Sequence, residues 1–565
     1  MNAVLKSRSA LALALLPLGA LIGCGSGSSD GPLLNTNEAG CNGVAAVAFT
    51  FPVPNSRITL ARFNAAGTTT ANSVALPDHC QVQGIAGAFT GADGIAYGAN
   101  FELRMPLNWN GRFMFQGGGG TEGSVPNATG TAGTLSPTLA RGWAVVSQDG
   151  GHLNSVLTAA GKSTLDFMAD PAGFAENATG SIDKATQTAK FLINAFYGRP
   201  PDRSYHVGCS AGGRQGMFFS QKFPSYYDGI IAGDPVFDLT ALTQGEVNAL
   251  QAIAAIVPKD ASGNALFSQS FSVAEQDLFT SAILDACDGL DGAVDGIIDN
   301  LPACSFDPAT YVFKTTGQPL QCAGAKTATC LSAAQVGAIK RINLGPRTSA
   351  GLPVVVPSGT KVEGYPYDGG FMAPSGIPAR DIGTATSAPG NINLGTNQIG
   401  YFITPQVPGL QPYKTWNFDT DPAKISKSVP VVAISTDLSA FKGRGGKIIW
   451  YHGAADPGPS VQYTINYFNS IASLNGTSQS FAKFYVVPNM GHCSGGPAPD
   501  QFDLLTPLVD WVEKGVAPDT VVASGTGFKQ APTTRTHPLC AYPKVAKYTG
   551  TAGGSIGSAS NFTCQ

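Results

Sequence analysis

Short apolar runs punctuate this chain, each followed by a polar, glycine-rich stretch. Arg112-Phe113-Met114-Phe115 runs into four glycines at 117–120, and Gly142-Trp143-Ala144-Val145-Val146 runs into Gln148-Asp149-Gly150-Gly151. Within 182–197, Ala189, Leu192, Ile193 and Phe196 recur at the spacing of one helical face. Residues 203–207 read as a strand leading to Gly208, and 229–232 as another. The rhythm resumes much later with a strand at Lys447-Ile448-Ile449-Trp450-Tyr451 and a helix within 461–471. A strand at Phe484-Tyr485-Val486-Val487 and a helix within 503–512 follow. Short apolar strands alternating with helices predict an α/β fold whose mostly parallel sheet is covered on both faces.

Between these regions, roughly 235–441 lacks that rhythm, is rich in Gly, Pro, Ser and Thr, and holds four cysteines. Two halves of one sheet separated by such a stretch predict an insertion rather than tandem domains. The main domain is expected over 41–235 and 441–565, with a lid domain inserted at 236–440. No internal repeat is visible.

Composition narrows the class. Of 565 residues, 43% are hydrophobic and only 13% charged, which argues against a disordered chain. The formal net charge of −3 supplies no basic field for nucleic acid.

Lys6 and Arg8 precede an apolar run over 10–21, the order and length of a signal peptide. It ends in Leu21-Ile22-Gly23-Cys24 before Gly25-Ser26-Gly27-Ser28-Ser29, which resembles a bacterial lipobox with Cys24 as the lipidated residue. An ordinary cleaved signal with an incidental cysteine is the alternative. Residues 1–23 are read as the signal and 24–40 as a flexible tether. The protein is expected to be exported, as an outer-membrane lipoprotein or otherwise secreted or periplasmic. No later apolar run approaches the ~20 residues of a membrane span. Eleven cysteines fit an oxidising compartment, and setting Cys24 aside leaves ten. None has the paired Cys-x-x-Cys spacing of a structural zinc site.

Gly208-Cys209-Ser210-Ala211-Gly212 fits G-x-S-x-G between a predicted strand and a helical run at 214–222. A sharp strand-to-helix turn exposes the serine hydroxyl and needs glycines where side chains would collide. Serine requires a base. Of the six histidines, His206 lies inside the preceding strand as a packed residue, and His79 and His537 sit near cysteines in outlying loops. His492 follows the 484–487 strand and is the preferred base. His452 also ends a strand, but precedes an acid, Asp456. Asp456 preserves the order Ser, Asp, His of an α/β-hydrolase, with Asp234 after the 229–232 strand as its rival. His452 then supports the site or contacts substrate, or is a core histidine. Ala211 N–H and the glycine-rich loop at 117–120 are the candidate oxyanion donors. A phosphate-binding reading of that loop lacks a Gly-Lys-Ser/Thr ending.

Cys209 precedes the proposed nucleophile and Cys493 follows the proposed base. If Ser210 and His492 meet, these sulfurs come within bridging range, closing a loop worth on the order of 5 kcal/mol in the chain-entropy model. Separately, Asp285, Asp288, Asp291, Asp295 and Asp299 crowd one glycine-bearing loop. Such acids repel one another unless a cation compensates, and hard oxygen ligands suit a structural Ca²⁺ distant from Ser210. A solvated acidic turn is the alternative.

With Met105-Pro106-Leu107-Asn108-Trp109-Asn110-Gly111-Arg112-Phe113, the 208–216 elbow and Asn489-Met490-Gly491-His492-Cys493-Ser494-Gly495-Gly496, the chain resembles the tannase and feruloyl esterase family. That family includes the mono(2-hydroxyethyl) terephthalate hydrolases. The resemblance spans nearly all of the mature chain and weakens between about 361 and 427. It implies an α/β-hydrolase core with a large inserted lid, and Gly120 as the second oxyanion donor. It also implies five disulfides: Cys41–Cys80, Cys209–Cys493, Cys287–Cys304, Cys322–Cys330 and Cys540–Cys564. Calcium would be held by Asp288, Asp291 and Asp295 with the carbonyls of Ala293 and Ile297.

The expected function is a serine carboxylic ester hydrolase acting on aromatic-acid esters of feruloyl or galloyl type, carried on an alcohol, sugar or polysaccharide. A terephthalate monoester hydrolase is the near alternative, although no counterpart of the arginine-and-tryptophan pair with which those enzymes grip substrate is apparent. Tyr365, Tyr367, Tyr401 and Phe402 are candidates for aromatic walls or for lid core, and Trp416 is the lid's only tryptophan. A peptidase or acyltransferase using the same triad, and a non-catalytic carbohydrate-binding lipoprotein on a hydrolase fold, are the readings from other classes.

Overall fold

The computed structural model describes residues 34–133, 135–474, 476, 478–550 and 554–565. The proposed signal and Cys24 lie outside the described residues. The expected tether lies outside them as far as residue 33, and its boundary is corrected from there on. Leu34 N–H donates to Ala195 O (3.0 Å), Thr36 Oγ1 donates to Phe196 O (2.9 Å), and a helical turn at Glu38–Gly43 carries Cys41 into its bond with Cys80.

Nine strands form one mixed sheet: β1 (Arg57–Asn64), β2 (His79–Thr90), β3 (Ala96–Pro106), β4 (Arg112–Gln116), β5 (Ala144–Gln148), β6 (Arg203–Cys209), β7 (Gly229–Gly233), β8 (Lys447–Gly453) and β9 (Ala482–Val487). Their order is β1-β2-β3-β5-β4-β6-β7-β8-β9. The pairs from β5 to β9 are parallel, and β1, β2 and β3 join antiparallel. Side chains alternate across each strand, and here they enter two separate cores. Phe113, Phe115, Val146, Trp450 and Phe484 face one, whereas Met114, Val145, Ile449 and Tyr485 face the other. That double burial is why β4, β5, β8 and β9 carry apolar residues at successive positions.

Helices cover both faces. α1 (Ser181–Tyr197) buries Ala189, Leu192, Ile193 and Phe196 and ends at Gly198, whose φ of 71° suits a left-handed cap. α2 (Ala211–Gln221) packs on β6 and β7. The six parallel-paired strands and α1 coincide closely with the predicted elements.

The chain between β7 and β8 adds no strand to this sheet, but it is more helical than its composition suggests. It contains α3 (Leu239–Ala254), α4 (Val273–Cys287) and α5 (Ala333–Leu344). Ser272/Glu275 and Ser332/Gln335 form reciprocal caps before α4 and α5. This segment has a core of its own around Ile253, Phe279, Ile339 and Phe371. Leu239, Leu242 and Val247 of α3 instead join the core of the sheet. Beyond β8 follow α6 (Val461–Leu474) and α7 (Leu505–Lys514), then the antiparallel hairpin β10 (Thr520–Thr526) and β11 (Thr534–Cys540). Among the described residues, no helix is long and apolar enough to cross a membrane.

Candidate active site

Ser210 stands at the turn between β6 and α2 with φ 63° and ψ −119°, a conformation held by crowding around it. A Cβ at Gly208 would lie 2.7 Å from the Gly212 backbone, and one at Gly212 would lie 2.8 Å from Gly118 O. Only glycine permits these approaches. Ser210 N–H donates to Gly233 O at 2.9 Å, fixing the turn against β7.

The side chains that meet there come from three strand ends. His492, in the loop after β9, has Nε2 2.8 Å from Ser210 Oγ and Nδ1 2.7 Å from Asp456 Oδ2. With the Nδ1 proton given to Asp456, Nε2 is free to accept the serine proton. Asp456 follows β8, is 2% exposed, and accepts from Gly458 N–H at 2.7 Å. Burial alone would raise its pKa, but the His492 and His452 imidazoles outweigh that and hold it well below the carboxylate range.

Asp234 takes a different place from that of a triad acid. It accepts from Gly453 N–H at 2.9 Å, and burial pushes it up to about 7. His452 is fully buried behind Asp456. Its Nε2 is 2.7 Å from Pro459 O and 3.4 Å from Asp456 Oδ2, and its Nδ1 is 2.7 Å from Thr464 Oγ1. A carbonyl accepts, so Nε2 carries a proton there, and His452 supports the acid without touching Ser210. His206 is packed and hydrogen-bonded to Gly212 O, as expected.

The five disulfides join the expected partners. Cys209–Cys493 spans 6.0 Å between Cα atoms and binds the serine turn to the imidazole loop. Across from that bond, the glycine loop after β4 is knitted into the same turn. Gly117 N–H donates to Val207 O (2.8 Å), Gly212 N–H to Gly118 O (3.0 Å), and Gly118 N–H to Gln215 Oε1 (3.2 Å). Gly120, with φ 59°, shares a cavity with Ser210, Ala211 and His492.

That cavity has apolar walls from Phe167, Phe174, Leu239, Leu242 and Val431, and polar groups from Asn177, Arg214, Glu246, Arg380 and Gln398. None of the four proposed wall aromatics lines it, nor does Trp416. Tyr365 OH donates to Gly458 O (2.9 Å), Tyr367 packs on Phe279 and Phe371, and Tyr401 OH donates to Asp166 (2.7 Å). Phe402 stacks behind Phe174, and Trp416 Nε1 donates to Gln244 Oε1 (2.7 Å). The lid-core alternative describes Tyr365 and Tyr367, whereas Tyr401, Phe402 and Trp416 join the core of the sheet. The lining residues themselves lie on scattered segments with no shared motif. Only α3 offered a signal, an apolar face at Leu239 and Leu242 that ends in Glu246 one turn on.

The acidic loop is buried rather than solvated. Asp288 accepts from Asp295 N–H and Gly296 N–H, Asp291 from Ala293 N–H (2.8 Å), and Asp295 from Ile297 N–H (3.0 Å). Asp291, Asp295 and Asp299 each keep a buried Oδ2 without a hydrogen-bond partner. Burial, with repulsion among the carboxylates, pushes Asp291 up to about 8 and Asp295 up to about 6. Unpaired buried oxygens on mutually repelling acids fit a hard cation. Compensation comes partly from the end of the chain. Arg535 Nη1 donates to Asp295 O (2.7 Å) and lies 3.4 Å from Asp295 Oδ2, while His537 Nε2 is 3.0 Å from Asp299 Oδ1. His537 is thus a buried residue of β11, and His79 a buried residue of β2, not members of outlying loops. The loop is also tied to the imidazole segment, because Asn489 Nδ2 donates to Gly296 O at 2.6 Å.

A family model described as tannase and feruloyl esterase matches residues 80–565. The mono(2-hydroxyethyl) terephthalate hydrolase of Piscinibacter sakaiensis is 41% identical over 90% of this chain and 88% of its own. A probable feruloyl esterase B-2 of Aspergillus flavus is 30% identical over 75% and 76%. Among solved structures, feruloyl esterase B from Aspergillus oryzae superposes with a TM-score of 0.73 at 23% identity, covering 94% of this chain and all of its own. The likeness in structure concerns the fold alone.

Proposed function

Because the chain belongs to the tannase and feruloyl esterase family and is a carboxylic ester hydrolase, we propose that it works through an acyl-enzyme on Ser210. The carrying observation is the continuous chain from Ser210 Oγ to His492 to Asp456, at 2.8 and 2.7 Å. His492 Nε2 takes the hydroxyl proton as Oγ attacks the ester carbonyl. Ala211 N–H, an orphan donor at the first position of α2, and Gly120 N–H hold the oxyanion. The imidazolium, steadied by Asp456, returns the proton to the departing alcohol. Water then attacks the acyl-enzyme through the same base.

The substrate is an ester of a hydroxycinnamic, gallic or similar aromatic acid. The apolar cavity walls support this reading, as do the names of the relatives. A terephthalate monoester is the second reading, favoured by the 41% identity to a terephthalate monoester hydrolase and by Arg380 at the cavity. The segment from 236 to 440 acts as the lid on an α/β-hydrolase core. Ca²⁺ is held by Asp288, Asp291 and Asp295 with the carbonyls of Ala293 and Ile297, and its role is to neutralise and rigidify that loop. Export through residues 1–23, with Cys24 as a lipid anchor, completes the reading.

Turnover of methyl ferulate, methyl gallate and mono(2-hydroxyethyl) terephthalate by the purified mature protein tests it, alongside aryl amides and added alcohol acceptors. Fluorophosphonate should label wild type and not Ser210→Ala. Absence of labelling would return the chain to a non-catalytic role.

A further inference from the structure

The geometry points to a hydroxyl-recognising subsite, formed by Glu246 and Gln398, in the cavity that holds Ser210; this rests on the ester hydrolase reading above.

Leu239, Leu242 and Glu246 occupy successive turns of one face of α3, and all three line the cavity. The helix begins beside the nucleophile, since Val236 N–H reaches Ser210 O at 3.4 Å. At 1.5 Å per residue, Glu246 lies about 10 Å farther along than Leu239. The wall is therefore apolar near the serine and turns polar beyond it. A benzoyl or cinnamoyl group laid along it would run toward Glu246.

Glu246 is 3% exposed, and its Oε2 has no hydrogen-bond partner. Gly395 makes room for it, because a Cβ there would fall 1.6 Å from that oxygen. Gln398, one turn on from Leu394 and also 3% exposed, directs its amide N–H to Leu394 O. Its Oε1 is left buried and unpartnered. Unpaired buried polar atoms are costly, and these two, together with Arg214 Nε in the same cavity, indicate a ligand that completes them.

The chemistry of the two groups selects that ligand. Gln398 Oε1 only accepts, so it asks for a donor. Burial raises the Glu246 carboxyl well above its ordinary range, against the nearby Arg380 charge, so the acid keeps its proton and both donates and accepts. A hydroxyl satisfies the pair. A free carboxylate offers Gln398 no proton. The hydroxyl can come from the ring of the acyl group or from a polyol alcohol.

The experiment measures kcat/KM ratios within one protein, so that the folded fraction cancels. On the acyl side the pairs are methyl gallate against methyl benzoate and methyl 4-hydroxycinnamate against methyl cinnamate. On the alcohol side the pair is a glycerol monobenzoate against methyl benzoate. Wild type should favour the hydroxylated member of one set by at least roughly tenfold, because a site built for a hydroxyl rejects its analogue. Glu246→Leu and Gln398→Leu should each bring that ratio toward one through KM, while Glu246→Gln keeps most of it. The responding set identifies the source of the hydroxyl. Ratios near one in wild type, or unchanged in both leucine variants, overturn the subsite while ester turnover stands. No turnover of any ester would overturn the function as well.

Discussion

Asp456 Oδ2 is approached by two imidazoles, His492 Nδ1 at 2.7 Å and the buried His452 Nε2 at 3.4 Å. The acid is thus gripped from both sides, with its other oxygen on Gly458 N–H. A carboxylate so surrounded has one orientation, and it in turn gives His492 one tautomer.

Asp456→Asn should therefore lower kcat on aryl esters by roughly 10³–10⁴-fold, because an amide favours the wrong tautomer. Asp234→Asn, at a group that braces Gly453 and lies 3.8 Å from His452 Nε2 without reaching His492, should cost far less. Steady-state kinetics on both variants decides the matter. Equal losses would move the acid's role to Asp234.

Loss of Cys209–Cys493 should act on stability and rate together. The bond has a sequence separation of 284, and the chain-entropy model assigns its removal on the order of 5 kcal/mol. Cys209→Ser/Cys493→Ser should melt several degrees lower and, at a temperature where it is folded, turn over more slowly. A double variant with wild-type kcat would show that the bond does not set the serine–imidazole distance.

Chelation should lower the melting temperature, and added Ca²⁺ should restore it, since a cation that binds only the folded loop stabilises it by mass action. Asp291→Asn should blunt both responses. Thermal scans in EDTA and in calcium, on wild type and variant, suffice. Identical curves for wild type in both buffers would leave the loop to Arg535 and His537 alone.

Asp381 supplies a pH test. It is fully buried, accepts from Asn391 Nδ2 at 2.9 Å, and is pushed up to about 7 by burial. An unfolded aspartate titrates near ~3.9. Between those values the native state holds one more proton than the unfolded state, so stability falls as pH rises from about 4 to about 7. The slope per group is at most ~1.4 kcal/mol per pH unit. Asp381→Asn removes this dependence, so its melting temperature should gain on wild type across that window and not below it. A constant difference at all pH values would mean that Asp381 is ionised throughout.

What the sequence made legible follows from burial on two faces. β4, β5, β7, β8 and β9 carry apolar residues at successive positions because their side chains enter one of two cores, and such runs are conspicuous. β2 and β3 escaped notice because their buried faces carry polar partners. Gln81 and Gln83 donate to Glu102, which also pairs with Arg104 at 2.7 Å, so neither run looks apolar. α4 and α5 were announced by Ser-x-x-Glu and Ser-x-x-Gln caps that a reading for apolar rhythm passed over. Ser210, Asp456 and His492 were legible because each sits at a strand end next to turn residues. Glu246, Arg380 and Gln398 were not, because only folding brings three distant segments to one cavity.

The hydrogen bond from Asn489 to Gly296 joins the acidic loop to the segment that carries His492, three residues on. The insertion is therefore not a cap that can be exchanged at will. One part of it serves as an abutment for the loop that holds His492 beside Ser210, so any exchange of residues 236–440 should graft around residues 288–299 rather than through them.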